Sequence, residues 1–136
     1  MNIFQNKDLG LLILRLSVGL LMIPHGIHKL LNSGALGYIQ SLLEAKGLPT
    51  FISYGVFVGE IIAPLLIVIG FRTRISALVL AATGLMILFL GYDNLFALTQ
   101  HGGWVAELAG LFLFGALSLA FTGGGKYALS TNNQWD

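Results

Sequence analysis

The sequence predicts an all-α integral membrane protein, a bundle of four transmembrane helices with a short amphipathic helix between the first and second. Three observations carry this. Hydrophobic residues make up 56% of the 136-residue chain and charged residues only 10%, where a soluble domain carries roughly 25% charged residues. Mean hydropathy is +0.84, and so small a soluble fold could not hide that much apolar surface. Four apolar segments approach the length needed to cross the hydrocarbon core, about 20 residues as helix. They lack the alternation expected of a barrel strand.

The expected spans run over residues 9–31, 51–69, 75–90 and 104–121, within a single domain covering residues 1–136. The third has room to extend toward Leu98. Lys7 followed by an apolar run imitates a signal peptide. However, Arg15 interrupts the run and no small-residue cleavage site follows, so it reads as an uncleaved first span. Asn32-Ser33-Gly34 closes that span. Leu36, Ile39, Leu42 and Leu43 then fall on one face of a helix, with Gln40, Ser41, Glu44 and Lys46 covering much of the rest. This is the pattern of a helix lying at the membrane surface. Gly47-Leu48-Pro49 opens the second span. Gly70-Phe71-Arg72-Thr73-Arg74 allows only a tight turn, which makes the second and third helices antiparallel neighbours. The tail after Lys126 is polar and is expected to be loosely ordered.

Four spans place both termini on one side. That side holds Lys7, Arg72, Arg74 and Lys126, against Lys29 and Lys46 on the other. Basic residues favour the cytoplasmic side, so both termini are expected there. The net charge of +1 gives no basic patch for nucleic acid. Cysteine is absent. That removes disulfides, thiolate metal sites and a thiol relay within this chain. Redox chemistry here requires a bound cofactor, a substrate or a partner.

Ionisable residues inside a bilayer are costly and are usually paired or functional. Arg15, Glu60 and Glu107 all fall in expected spans. With Leu9 and Gly70 taken as level, Arg15 lies roughly 9 Å deep and Glu60 roughly 15 Å deep. A long guanidinium spans that difference, so an Arg15–Glu60 bridge is expected, serving as helix–helix glue or as part of a site. By the same measure His25 and Glu107 share a layer roughly 22–24 Å from that end. Arg15, His25 and Lys29 fall within a sector of about 80° on the first helix, while His28 points to the side. Pro24 is expected to bend that helix and free the carbonyl of residue 20. The polar outer half suits proton transfer, or hydrogen bonding to a quinone carbonyl. Catalytic candidates are therefore His25, Glu60 and Glu107, and ligand-binding candidates are Arg15, His25, Lys29, Glu60 and Glu107. The competing reading of Lys29 and His28 is snorkelling to the interface, and His101 reads as a solvated loop histidine. A metal site is not expected, because no compact ligand motif is present. The three histidines cluster near one end, a poor arrangement for two-histidine haem ligation.

The remaining features read mainly as packing. Gly55-x-x-x-Gly59 allows close helix approach. Phe51, Tyr54 and Trp104 sit where an aromatic belt belongs. Pro64 is expected to kink the second span one turn beyond Glu60.

Leu14-Arg15-Leu16, Gly19-Leu20 and Pro24-His25-Gly26, followed by Lys29, resemble the first-helix signature of the DoxX family. Gly59-Glu60 and the turn Gly70-Phe71-Arg72-Thr73-Arg74 resemble its second helix and turn. Glu107 and Gly123-Gly124-Gly125-Lys126-Tyr127 resemble its last helix and closing motif. The chain departs from the family at Ala128-Leu129-Ser130, where a Ser-Leu-Asp-like close is common. The resemblance implies a four-helix protein of the bacterial inner membrane, linked to quinone or thiol redox systems, with quinone the one cofactor suggested. Expected partners are the bilayer, a soluble redox protein and a second copy of the chain. The function expected is a membrane redox-associated protein binding a quinone-like molecule in an intramembrane polar pocket. The alternatives are a non-catalytic scaffold that docks a soluble oxidoreductase, and a small-molecule carrier. The carrier reading is weakened by the lack of an inverted repeat.

Overall fold

The computed structural model describes residues 2–136. The described residues form an all-helical membrane bundle. Helix α1 is Lys7–Leu31, α2 is Ser33–Ala45, α3 is the continuous helical stretch Thr50–Ile69, α4 is Thr73–Gly91 and α5 is Glu107–Thr122. Helices α1, α3 and α4 are long and apolar enough to cross a membrane, and α5 is shorter. At 25 residues α1 is roughly 37 Å long, and at 16 residues α5 is roughly 24 Å. The longest helix thus exceeds the hydrocarbon core of about 30 Å, and the shortest falls short of it.

The ends of these helices follow from their sequence. Asn6 caps α1, its side chain accepting from the Leu9 amide. The chain continues as helix through Pro24 to Leu31. Helix α3 closes at Gly70, whose φ of 77° is the left-handed conformation that glycine adopts without penalty. Helix α4 ends at Gly91 rather than extending toward Leu98. The connection to α5 folds into a short hairpin, in which Leu98 pairs with Trp104. The Trp104 indole donates to the Leu95 carbonyl. Trp104 therefore staples its own loop, and α5 begins three residues later than the sequence suggests.

Inside α3 the winding changes. Thr50–Tyr54 is 3₁₀, Val58–Ile62 is π, and Ala63–Ile69 is α. Pro64 supplies the cause. It has no N–H for the Glu60 carbonyl, and its ring crowds that carbonyl. A wide π turn relieves both problems, with the Ala63 amide donating back to the Val58 carbonyl. The sequence places a kink one turn beyond Glu60; the structure instead puts Glu60 in the π turn itself.

Glycines set the helix spacing. A Cβ at Gly19 would lie 2.8 Å from the Pro64 carbonyl oxygen, and one at Gly26 would lie 2.9 Å from that of Glu60. These two positions, two turns apart, bring α1 onto α3 backbone to backbone. Gly59 presses directly on Thr83 of α4, whereas Gly55 faces open space. The expected Gly55–Gly59 pair is thus one contact point, not two.

The apolar core occupies the half of the bundle nearer the chain termini. Val18, Met22, Ile67, Ala77, Leu80, Leu113, Ala116 and Leu119 pack there. The tail corrects the sequence expectation of loose order. Leu129 and Ser130 amides donate to the Ile69 and Gly70 carbonyls, and the Arg74 amide donates to Trp135. Arg72 pairs with Asp136 at 2.8 Å. The tail is held because the turn after α3 offers it the Ile69 and Gly70 carbonyls, the Arg74 amide and the Arg72 guanidinium as partners.

Candidate functional site

Glu60 is 1% exposed and pairs with Lys29, whose Nζ lies 2.6 Å from Oε2 and 2.8 Å from Oε1. The expected Arg15–Glu60 bridge does not form. Arg15, also 1% exposed, donates Nη1 to the Ile67 and Val68 carbonyls and Nη2 to the Tyr127 carbonyl. It therefore ties the end of α3 to the tail. The reason is an axial offset between α1 and α3. Gly70 packs against the Arg15 guanidinium, so Arg15, not Leu9, is level with the α3–α4 turn. Six residues of helix correspond to roughly 9 Å. That shift carries Arg15 out of reach of Glu60 and brings Lys29 within reach.

The Lys29–Glu60 pair lies on the wall of a cavity of about 760 Å³ in the half of the bundle away from the termini. Met22, His25 and Lys29 of α1 contribute to it, as do Gly55, Val56, Val58 and Glu60 of α3. Val79, Thr83 and Met86 come from α4, and Ala109 and Phe112 from α5. Helix α2 contributes Tyr38, Ile39, Leu42 and Leu43. The amphipathic helix thus turns its apolar face onto the bundle and roofs the cavity. Leu43 is fully buried there, and the Gln40 amide nitrogen lies 3.3 Å from Ser53 Oγ at the start of α3.

His25 lines the same wall one turn from Lys29. Its ring meets Phe112 edge-on, with centroids 5.8 Å apart. Lysine is the more accessible partner of the ion pair, at 20% against 1% for the glutamate. The cavity therefore meets an ammonium backed by a buried carboxylate. Such an arrangement donates hydrogen bonds to a ligand while the carboxylate holds the donor in place.

Of the residues singled out in the sequence, His25, Lys29 and Glu60 come together on the cavity. Arg15 and Glu107 do not line it. Glu107 is exposed at the first turn of α5 and lies against Gly103. His28 is exposed beside Asn32, and His101 beside Gln100 in the loop. Among the described residues, no group of three His, Asp or Glu side chains is placed to hold a metal ion. The apolar walls from Met22, Met86 and Phe112 were not singled out in the sequence. They come from three different helices, and apolar residues carry no local mark of facing a cavity rather than a core.

The fold and site thus define a helical membrane protein with a largely apolar cavity that carries one buried ion pair. The chain belongs to the DoxX family, whose pattern it matches over residues 10–93. It is 32% identical over 131 residues to a protein of Escherichia coli (strain K12) named "Inner membrane protein YqjF", covering 95% of this chain and 97% of that one. It is 31% identical over 125 residues to a protein of Bacillus subtilis (strain 168) named "Putative oxidoreductase CatD", covering 92% and 87%. No solved structure matches.

Proposed function

We propose that this protein binds a quinone-like molecule in the cavity and serves a redox system of the bacterial inner membrane, with both termini in the cytoplasm. The observation that supports this best is the convergence of Lys29, Glu60 and His25 on one wall of an otherwise apolar cavity. A cavity of about 760 Å³ is within the usual range for small-molecule sites. Apolar walls suit a ring and its substituents, and the few polar groups fix its orientation. Lys29 and His25 supply N–H donors to ring carbonyl oxygens, while Glu60 holds the ammonium in place. The name of the Bacillus subtilis relative points to the same class of chemistry.

Reducing a quinone to a quinol takes two electrons and two protons. The electrons require a donor outside this chain, such as a soluble redox protein. The chain's own contribution is to bind the ring, orient it and place proton donors at its oxygens. Arg15 and Glu107 take no direct part in this reading: Arg15 fixes the cytoplasmic end of α3, and Glu107 lies outside the cavity.

Solvent extraction and mass spectrometry of the protein purified from its native membrane test the reading. It expects a quinone at near-stoichiometric yield, displaceable by a short-chain quinone. Stable copurification with a soluble oxidoreductase, and no quinone bound at any concentration, would favour the scaffold reading.

A further inference from the structure

We propose that the cavity opens sideways into the bilayer between α3 and α4, and that its ligand carries a flexible apolar tail that leaves through this portal. The inference rests on the cavity reading above and names the class of ligand: an amphiphile dissolved in the membrane, with a compact acceptor-bearing head.

Four observations carry it. Gly59 against Thr83 is a tight contact between α3 and α4. Beyond it, α3 loosens into its short α turn and 3₁₀ start and packs chiefly against α2. Gly55 sits at this gap with open space where a side chain would be. On α4, Val79, Ala82 and Met86 form a strip at helical spacing that continues the cavity lining from Thr83 around to the outside of the bundle. Ala82 is exposed, Met86 is 36% exposed, and Val58 across the gap is 46% exposed.

Depth then determines what lies outside. Glu60 is roughly 14 Å from the Ile69 end of α3, near the middle of a core about 30 Å thick. Val58 and Ala82 are within a turn or so of that level. The mouth they border therefore meets acyl chains, not water. Helix α2 covers the route from the aqueous side, through Leu43 and the contact of Lys46 with the Phe89 ring. On the far side of the cavity, between α1 and α5, the exposed His25 ring meets the buried Phe112 edge to face, which leaves the polar edge of the imidazole there and the apolar strip at the α3–α4 gap. A water-soluble ligand has no apolar use for such a mouth. A tailed amphiphile can place its head at Lys29 and His25 and leave its tail in lipid.

Gly55→Trp tests this, because a Cβ at Gly55 meets nothing within 4 Å and the added ring would narrow the mouth. Two readouts are needed. In the first, protein in vesicles is exposed to a membrane-dissolved hydrocarbon with a terminal diazirine, and adducts are mapped by mass spectrometry. Wild type is expected to be labelled at the cavity residues Thr83 and Ile87 as well as at lipid-facing Leu85. Gly55→Trp is expected to lose the cavity labels and keep the Leu85 label. In the second, long-tailed and short-tailed quinones are compared. Gly55→Trp is expected to slow association of the long-tailed quinone by about tenfold more than that of the short-tailed one. Labelling confined to Leu85 in wild type, or association of both quinones slowed to the same degree by Gly55→Trp, overturns the portal while leaving the quinone reading intact. Labelled cavity residues with no quinone bound would overturn the quinone reading and leave the portal.

Discussion

Lys29 Nζ reaches Glu60 with both carboxylate oxygens inside 2.9 Å, at 2.6 and 2.8 Å. The two residues lie on different helices, and the glutamate sits near the middle of the membrane. Replacing either partner with a neutral residue strands the other charge in an apolar layer, at about 3–5 kcal/mol. Replacing both, as Lys29→Met with Glu60→Gln, should cost clearly less than the sum of the two single changes. Thermal unfolding in detergent gives the comparison. A double variant as unstable as the sum would mean that the pair contributes no coupling.

The contact of α1 with α3 is the second testable element. Gly26→Ala places a methyl group against the Glu60 carbonyl, and overpacking of this kind costs about 1–3 kcal/mol. Gly10→Ala meets nothing within 4 Å and should be neutral or mildly stabilising. Equal melting temperatures for the two variants would show that the helices are not held this closely.

Much of this architecture is legible in the sequence, because long apolar runs and glycine–proline punctuation mark helices directly. The α2 amphipathic pattern and the tight Gly70 turn are read from a few residues each. The axial offset of α1 against α3 is different. It is set by Gly19 and Gly26 meeting backbone two turns apart, and by Arg15 meeting Gly70, relations between segments that no local pattern encodes. Assuming level helix ends therefore assigns Glu60 to Arg15 and sends Lys29 to the surface. The tail misleads for a related reason. Its polar residues look solvated until the turn after α3 is seen to offer them carbonyls and arginines.

That tail has a pH signature. Burial alone would raise the Asp136 carboxyl, but hydrogen bonds from Ser130 and the Asn133 amide, together with Arg72, outweigh it and hold it well below the usual carboxylate range. A carboxyl depressed in the folded state contributes stability that is fully present above its unfolded pKa, about 3.9. The contribution falls away as the pH drops from there toward the folded value. Asp136→Asn should therefore lower the melting temperature at neutral pH, and the gap from wild type should narrow as the pH falls below about 4. A gap that is constant with pH would show that the charge on Asp136 is not what holds the tail.

Membrane orientation can be read with single cysteines, since the chain has none. Ser33 and Thr131 are both exposed and lie at opposite ends of the bundle. With both termini cytoplasmic, Ser33→Cys on intact cells should react with an impermeant thiol reagent and Thr131→Cys should not. The reverse pattern would invert the protein in the membrane.

The central claim is that the wall formed by Lys29, Glu60 and His25 holds a quinone-like ring. Calorimetric titration of purified protein with a short-chain quinone tests it most directly, across wild type, Lys29→Met/Glu60→Gln, His25→Ala and Glu107→Gln. The double change removes the donor without stranding a charge. A hydrogen bond to a charged donor contributes about 1.5–3 kcal/mol, so that variant should bind at least about tenfold more weakly. His25→Ala should lose about 0.5–1.5 kcal/mol. Glu107, outside the cavity, should be replaceable without effect. Saturable binding with that order of affinities is the result the account predicts. Equal affinity in all four proteins, or weakening only in Glu107→Gln, would contradict it.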